Sequence, residues 1–252
     1  MISASSEFKK CVKNGHKFVN YADITLKDGT VLNLGPSDFT VGGFNMNDKT
    51  TDGKFGVGFA IGKTINITIA NHTNKFSAYD FYQSIIYLYV AAELADGTVL
   101  KERKGKYYVI NPSTPGDTIK ISGVDSMHLF DKKFDSDIQF PATLQTILSQ
   151  CCTDCGVRIG FGEFDNWNFE VYERPEECTY RQIVSWAAQI AGYNARINTD
   201  DALELVWYTS AKNVEENTID GGNFFLYELE DTVDGGNFTN YEADITIDGG
   251  IC

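Results

Sequence analysis

The chain has 252 residues, 13% aromatic with only five prolines, which describes an ordered globular protein long enough for one large or two modest domains. A net charge of −14 excludes a protein that grips nucleic acid through its phosphates or sits on an anionic membrane surface, because both need basic surface. Six cysteines are too sparse for a disulfide framework, and no run approaches the ~20 apolar residues of a membrane helix.

Residues 3–12 predict a short helix capped by Ser3 or Ser5, with Phe8, Cys11 and Val12 on one face and Gly15 as its stop. Residues 22–26 and 30–34 predict a hairpin about Asp28-Gly29, a two-residue turn with positive φ at both central positions. Gly42-Gly43 predicts a corner within residues 40–44, and residues 45–53 a polar loop.

Residues 54–81, KFGVGFAIGKTINITIANHTNKFSAYDF, are the stretch around which the first half is organised. Ile65, Ile67 and Ile69 alternate strictly with Thr64, Asn66 and Thr68, the pattern of a half-buried antiparallel strand. Gly56, Gly58 and Gly62 loosen the segment before it, and Phe76, Tyr79, Phe81 and Tyr82 follow it. Glycines admit close backbone approach and aromatics fill a widened interior, so the whole stretch predicts the wall of a small β-barrel or sandwich. Further strands are predicted at residues 85–94, at 98–100 after a second Asp-Gly turn, at 106–110 and at 118–124. The last two are parted by Pro112, Pro115 and Gly116. About eight short-turned strands suggest an all-β barrel or sandwich.

The character then changes. Residues 141–155 predict a helix with Pro141 in its first turn and Gly156 as stop; Leu144, Ile147, Leu148, Cys151, Cys152 and Cys155 share one face. A strand at 157–161 follows. Residues 179–191 repeat the design: Thr179 caps, Ile183, Val184, Trp186, Ala187, Ile190 and Ala191 form the buried face, and Gly192 stops. Strands at 193–197 and 203–207 complete an α+β part with two helix–Gly–strand units. Beyond it, Asp220-Gly-Gly, Asp234-Gly-Gly and Asp248-Gly-Gly recur at a constant spacing of 14 residues. After Lys212 there are ten acidic residues and no lysine or arginine, so this end carries most of the negative charge. A third copy cut off at Cys252 suggests the front part of a longer protein, and the opening residues show no apolar signal segment.

Candidate chemistry is thin. Cys151, Cys152 and Cys155 fall at a helix end rather than the helix start that activates a thiol, and no second pair completes a zinc site; core packing is the expectation. His16, His72 and His128 lie far apart with no nucleophile elbow between them. The Gly56-x-Gly58 pattern opens no helix, so it is no nucleotide loop. Asp220, Asp234 and Asp248 suit turns better than calcium. The paired carboxylates of an acidic chain single out no glycosidase acid and base, and Trp167 suits a core better than a sugar platform. The expectation is no catalytic, cofactor-binding or metal-binding residue, hence no enzyme and no cofactor.

An ordered series of stretches nevertheless looks familiar: SASSEFKKCVKNG at 3–15, ITLKDGTVLNL at 24–34, residues 54–81, KGKYYVINPSTPGDTIKISGVDSMHLFDKKF at 104–134, FPATLQTILSQCCTDCGV at 140–157, and the Asp-Gly-Gly repeats. Together they resemble the N-terminal hub region of tail-tip or baseplate proteins from phages, prophages and phage-tail-like particles of Gram-positive bacteria. The resemblance implies tail-hub-like β-barrel or sandwich domains with a helix-containing domain beside them, assembled as a homotrimeric ring that closes the tail tube. The implied partners are the chain itself, the tail tube or distal tail protein, the tape-measure protein, and a tail fibre or spike. The implied place is the tail tip or baseplate of a virion or bacteriocin-like particle, after synthesis in a bacterial cytoplasm, with no specific nucleic-acid binding and no membrane insertion. Longer members often carry a downstream lytic domain, and no such activity is carried over here.

The expected organisation is an arm at 1–20, a β-barrel at 21–135, an α+β domain at 136–210, and acidic repeats at 211–252 that complete a barrel or lead onward. An acidic lumen would let a genome slide where basic walls would hold it. The alternative is a glycan- or cell-wall-binding β module with an exposed aromatic row.

Overall fold

The computed structural model describes residues 5–47, 56–94 and 96–207. The Asp-Gly-Gly repeats and the expected barrel completion after Trp207 lie outside these residues. The described part is mainly β, with few helices, as the alternating segments imply.

Helix α1 (Ser6–Lys13) starts where the Ser5 hydroxyl accepts from the Phe8 amide at 3.2 Å. Phe8 and Cys11 pack on Ala92, but Val12 is 55% exposed, because one further residue turns the side chain ~100° round the helix. Strands β1 (Phe18–Thr25) and β2 (Val31–Leu34) form the first hairpin. Its turn differs from expectation. The Leu26 amide bonds Thr30 O at 2.8 Å and the Gly29 amide bonds Leu26 O at 3.0 Å, a three-residue loop in which Gly29 alone takes positive φ. The Asp28 carboxylate holds the loop by accepting from the Thr30 amide.

A 3-10 turn at Pro36–Asp38 leads to β3 (Phe39–Asn47). There Phe39 faces Ile69 but Phe44 faces Ile67, so the expected corner is a bulge that pushes residues 40–43 out and leaves Val41 fully exposed. Strand β4 (Thr64–Ala70) buries Ile65, Ile67 and Ile69 as its alternation demands. After β5 (Ile85–Glu93) comes β6 (Val99–Pro112), one 14-residue strand where two were expected. Its charged middle disguised it. Leu88 pairs with Gly105 and Tyr89 with Arg103, so Lys104 is the extra residue of a bulge and the ladder continues past it. Strand β7 (Thr118–Val124) ends the sheet, whose order is β2-β1-β5-β6-β7-β4-β3.

That order forces a curl. Seven flat strands would span ~29 Å between outer edges, yet only residues 35–38 join edge strand β2 to edge strand β3, a reach of ~17 Å. The sheet rolls until its edges approach, and the Pro36–Asp38 turn lies against both β1 and β4. The edges do not pair, so the result is a rolled, sandwich-like sheet rather than a closed barrel. Its interior holds one apolar cluster that includes Ile24, Leu34, Ile67, Phe76, Phe81, Leu88 and Tyr107. Tyr82, expected among the packed aromatics, is 52% exposed.

A 3-10 helix at Ser126–Asp131 leads into a smaller helical lobe. Strand β8 (Ala142–Thr143) precedes α2 (Leu144–Cys155), whose cap is Thr143. Pro141 therefore stands ahead of the helix, not in its first turn. Strands β9 (Arg158–Ile159) and β10 (Glu170–Val171), helix α3 (Tyr180–Ala191), β11 (Asn194–Ile197) and β12 (Ala202–Val206) follow. The two helix–Gly–strand units are alike in detail. Each helix has a threonine cap, each stops at a left-handed glycine (Gly156, φ 67°; Gly192, φ 81°), and their strands β9 and β11 flank β12 on either side. The lobe's core includes Met127, Phe130, Leu148, Cys152, Val184 and Ala188. On α3, Tyr180 and Ala188 are buried, while Trp186 and Ile190, expected inside, are 44% and 38% exposed.

Candidate functional site

Among the residues that sequence reasoning weighed, the cysteines of α2 are packing groups. Cys151 and Cys152 are fully buried. Burial pushes the Cys152 thiol up to about 12 and the Cys155 thiol up to about 11, and raises Cys151 further, which leaves no thiolate nucleophile near neutrality. His16 and His72 are exposed at separate turns. His128 lies on the 3-10 helix at Ser126–Asp131, with its ring 4.7 Å from that of Tyr108 and its Nδ1 donating to the Asp125 carbonyl at 2.8 Å. The structure does not bring the three histidines together. Among the described residues no group of three His, Cys, Asp or Glu is disposed to hold a metal ion.

What the fold does build is a joint between sheet and lobe. Residues 56–62, expected in the barrel wall, leave the sheet and run parallel to β11 instead. The Gly58 amide donates to Tyr193 O and the Ala195 amide to Phe59 O, each at 2.8 Å. The Asn194 side chain closes both ends, accepting from the Phe59 amide at 2.9 Å and donating to Gly56 O at 3.0 Å. The Ser185 hydroxyl donates to Gly58 O. The glycine pattern has a physical cause here. Gly58 has φ +85°, and a Cβ on it would stand 2.6 Å from Cβ of Gln189 on α3.

Polar groups lock the joint from the other side. Lys106 Nζ on β6 donates to Asp201 at 2.9 Å and to the Tyr108 hydroxyl at 2.8 Å, and the Ser126 hydroxyl donates to the same Asp201. Burial works to lower the Lys106 ammonium, but its bonds to Asp201 and Tyr108 outweigh it and the net direction is up. Asp125 caps the 3-10 helix: one oxygen accepts from the Met127 amide at 3.1 Å, the other from the Lys63 amide at 2.9 Å. Burial pushes its carboxyl up to about 6, against the pull of those two amides. The Asp125-Ser126 pair is a readable cap signal; nothing in the sequence marks Asp201 as the partner of Lys106.

A second feature is the outer face of β1, β5 and β6. Tyr21, Tyr89 and Arg103 lie abreast across the three strands. Lys101 Nζ stands 3.9 Å over the Tyr21 ring, and the Arg103 guanidinium 4.7 Å over that of Tyr87. Among the described residues no carboxylate forms a salt bridge with Lys101 or Arg103, and Arg103 Nε has no hydrogen-bond partner.

No protein-family model matches the chain, and neither does any curated protein. Solved structures with which it aligns include a prophage tail protein, a further bacterial tail protein and a chain of a gene transfer agent virion. The 43 kDa tail protein of prophage MuSo2 from Shewanella oneidensis aligns at TM-score 0.48 and 14% identity, covering 75% of this chain and 56% of that one. A tail protein from Neisseria meningitidis MC58 aligns at 0.47 and 12%, covering 74% and 51%. A chain of the virion of a native gene transfer agent particle aligns at 0.37 and 10%, covering 55% and 50%. The chain thus spans about half the length of the tail proteins with which it aligns.

Proposed function

We propose that this chain is a structural hub protein of a phage tail tip or baseplate, or of a related phage-tail-like particle of a Gram-positive bacterium. Three copies form a ring that closes the tail tube and links it to a fibre or spike, with the tape-measure protein above. The chain divides into an arm, a rolled β domain, an α+β lobe and an acidic repeat region. Its task is mechanical, so it needs no catalytic group.

The observation that supports this most is where the sequence resemblance falls. The hub-like stretches at 54–81, 104–134 and 140–157 contain the 56–62 strap, Lys106, the Asp125 cap and α2, which build or border the joint between sheet and lobe. A rigid frame with two bodies in fixed register suits a ring component that transmits force.

The glycan-binding module is the second reading, favoured by the outer tyrosines. Against it, Lys101 and Arg103 occupy ring faces that a sugar would need for stacking.

The test is placement. Gold-labelled antibody against this chain, applied to particles purified from its own cell, is expected at one end of the tail. Label confined to the cell wall, or binding of the pure chain to wall glycan without particles, would favour the module.

A further inference from the structure

We infer that the cleft between α2 and α3 is a docking socket for an amphipathic helix of another protein, one whose apolar stripe is flanked by lysine or arginine. This stands apart from the hub reading, and either can fail alone.

The cleft follows from helical periodicity. On α3, Ile183, Trp186, Ala187 and Ile190 recur at i, i+3, i+4 and i+7, so one apolar stripe runs along the helix. Leu144 and Ile147 of α2, with Val171 of β10, complete a cleft of about 210 Å³ lined by hydrophobic residues alone. Ile183 and Ala187 are buried, whereas Trp186 and Ile190 stay open to water, as do Phe169 and Tyr172 on either side of Glu170 and Val171. A contiguous apolar patch left in water marks an interaction site.

Its shape selects a helix. At ~1.5 Å per residue, Ile183 and Ile190 stand roughly 10 Å apart along α3. That is the span of the i, i+4 and i+7 anchors by which a helix lies in a groove. A small molecule fits less well, because sites that enclose one run to roughly 300 Å³ or more.

Charge decides which helix. Residues 170–177, which give the cleft Val171 and Pro175, also carry Glu170, Glu173, Glu176 and Glu177, all exposed. Among the described residues no cation forms a salt bridge with any of the four. The arginine of that stretch is engaged elsewhere, since Arg174 donates to Ser136 O at 2.6 Å and stacks on Phe134. Lys133, bridged to Thr179, is the other cation at this edge, so carboxylates remain in excess. That excess complements a basic partner. It opposes an anionic membrane surface, and it opposes a second copy seated cleft to cleft, where like rims would meet. The described helices of a second copy supply no occupant either. Helix α1 has lysines, but its apolar residues Phe8 and Cys11 are already packed on Ala92, and α2 has no basic residue.

The experiment titrates the full chain with a dye-labelled leucine–lysine peptide, patterned as an amphipathic helix of about four turns, and reads anisotropy at low and high salt. Binding is expected, and weaker in salt. Ile190→Glu is expected to weaken it by about tenfold or more, although that variant adds a carboxylate. E173K/E176K is expected to weaken it too, and to favour a peptide with glutamate in place of lysine. Trp186→Ser serves where Ile190→Glu folds poorly. Unchanged or tighter binding by Ile190→Glu would mean a polycation resting on an acidic surface, and overturns the socket. Equal binding of a scrambled peptide of the same composition, or a preference for anionic phospholipid vesicles, also overturns it. Self-association that Ile190→Glu abolishes would assign the face to a second copy and overturn it likewise, while gold labelling judges the hub reading separately.

Discussion

Lys106 on the rolled sheet and Asp201 on the helical lobe form an ion pair of 2.9 Å, with the side chains 17% and 15% exposed. Surface pairs contribute little, but this one is largely withdrawn from water and shares its oxygens with Ser126. Replacing Lys106 by methionine keeps the stem and leaves Asp201 without its cation. The expected loss is roughly 1–3 kcal/mol, read as a shift of the urea midpoint at unchanged slope. A loss that vanishes in high salt would mean the pair is in effect exposed.

Gly58 tests the strap. An alanine there would take φ +85° and drive its methyl group into Gln189 of α3. The cost is expected to be about 2 kcal/mol or more, a fall in Tm of roughly 5 °C. Proteolysis should then cut first within residues 56–62, which the wild type protects. Gly15, where a Cβ would meet nothing within 4 Å but φ is also positive, makes the control: its alanine variant carries the backbone strain without the clash.

Asp125 gives a pH dependence of definite sign. Burial raises its folded carboxyl to about 6, whereas its ordinary value is 3.8. Between these values the folded state holds a proton that the unfolded state has lost. The contribution is full below about pH 3.8 and is lost as pH rises through about 6, an effect of roughly 2–3 kcal/mol. Asp125→Asn should therefore remove that part of the slope from a stability–pH profile. It should also lower stability at acid pH, because one of the Lys63 and Met127 amides would face an amide nitrogen. Identical slopes in the two proteins would contradict the buried setting.

The α2 thiols should be inert. With Cys152 pushed up to about 12 and Cys155 up to about 11, native protein at pH 8 is expected to leave them unlabelled by a thiol reagent, as mapped by mass spectrometry. Denatured protein should label at both. Fast native labelling would show that the helix face opens.

Periodicity was enough to place much of the fold. The alternation of Ile65, Ile67 and Ile69 set a strand with one buried face, and Thr179 with Gly192 marked both ends of α3. The repeat of that design around Gly156 was equally local, and so was the burial of Cys151 and Cys152. Such features are written in neighbouring residues, because capping, helical spacing and pleat act over a few positions.

What a face meets is not local, and there only the tertiary structure decided. Gly56, Gly58 and Gly62 announced a close backbone approach but not to which partner; α3 and β11, more than a hundred residues onward, supply it. The charged middle of β6 joined one continuous strand because β5 offers it a ladder that accommodates Lys104 as a bulge. Trp186 and Ile190 share the helical stripe of Ile183, yet lie toward solvent because the lobe packs on Ala187 and Ala188 and leaves that flank uncovered. Asp201 found Lys106 across 95 residues for the same reason. The chain specifies which side chains share a side, and only the packing of distant segments fixes what lies opposite.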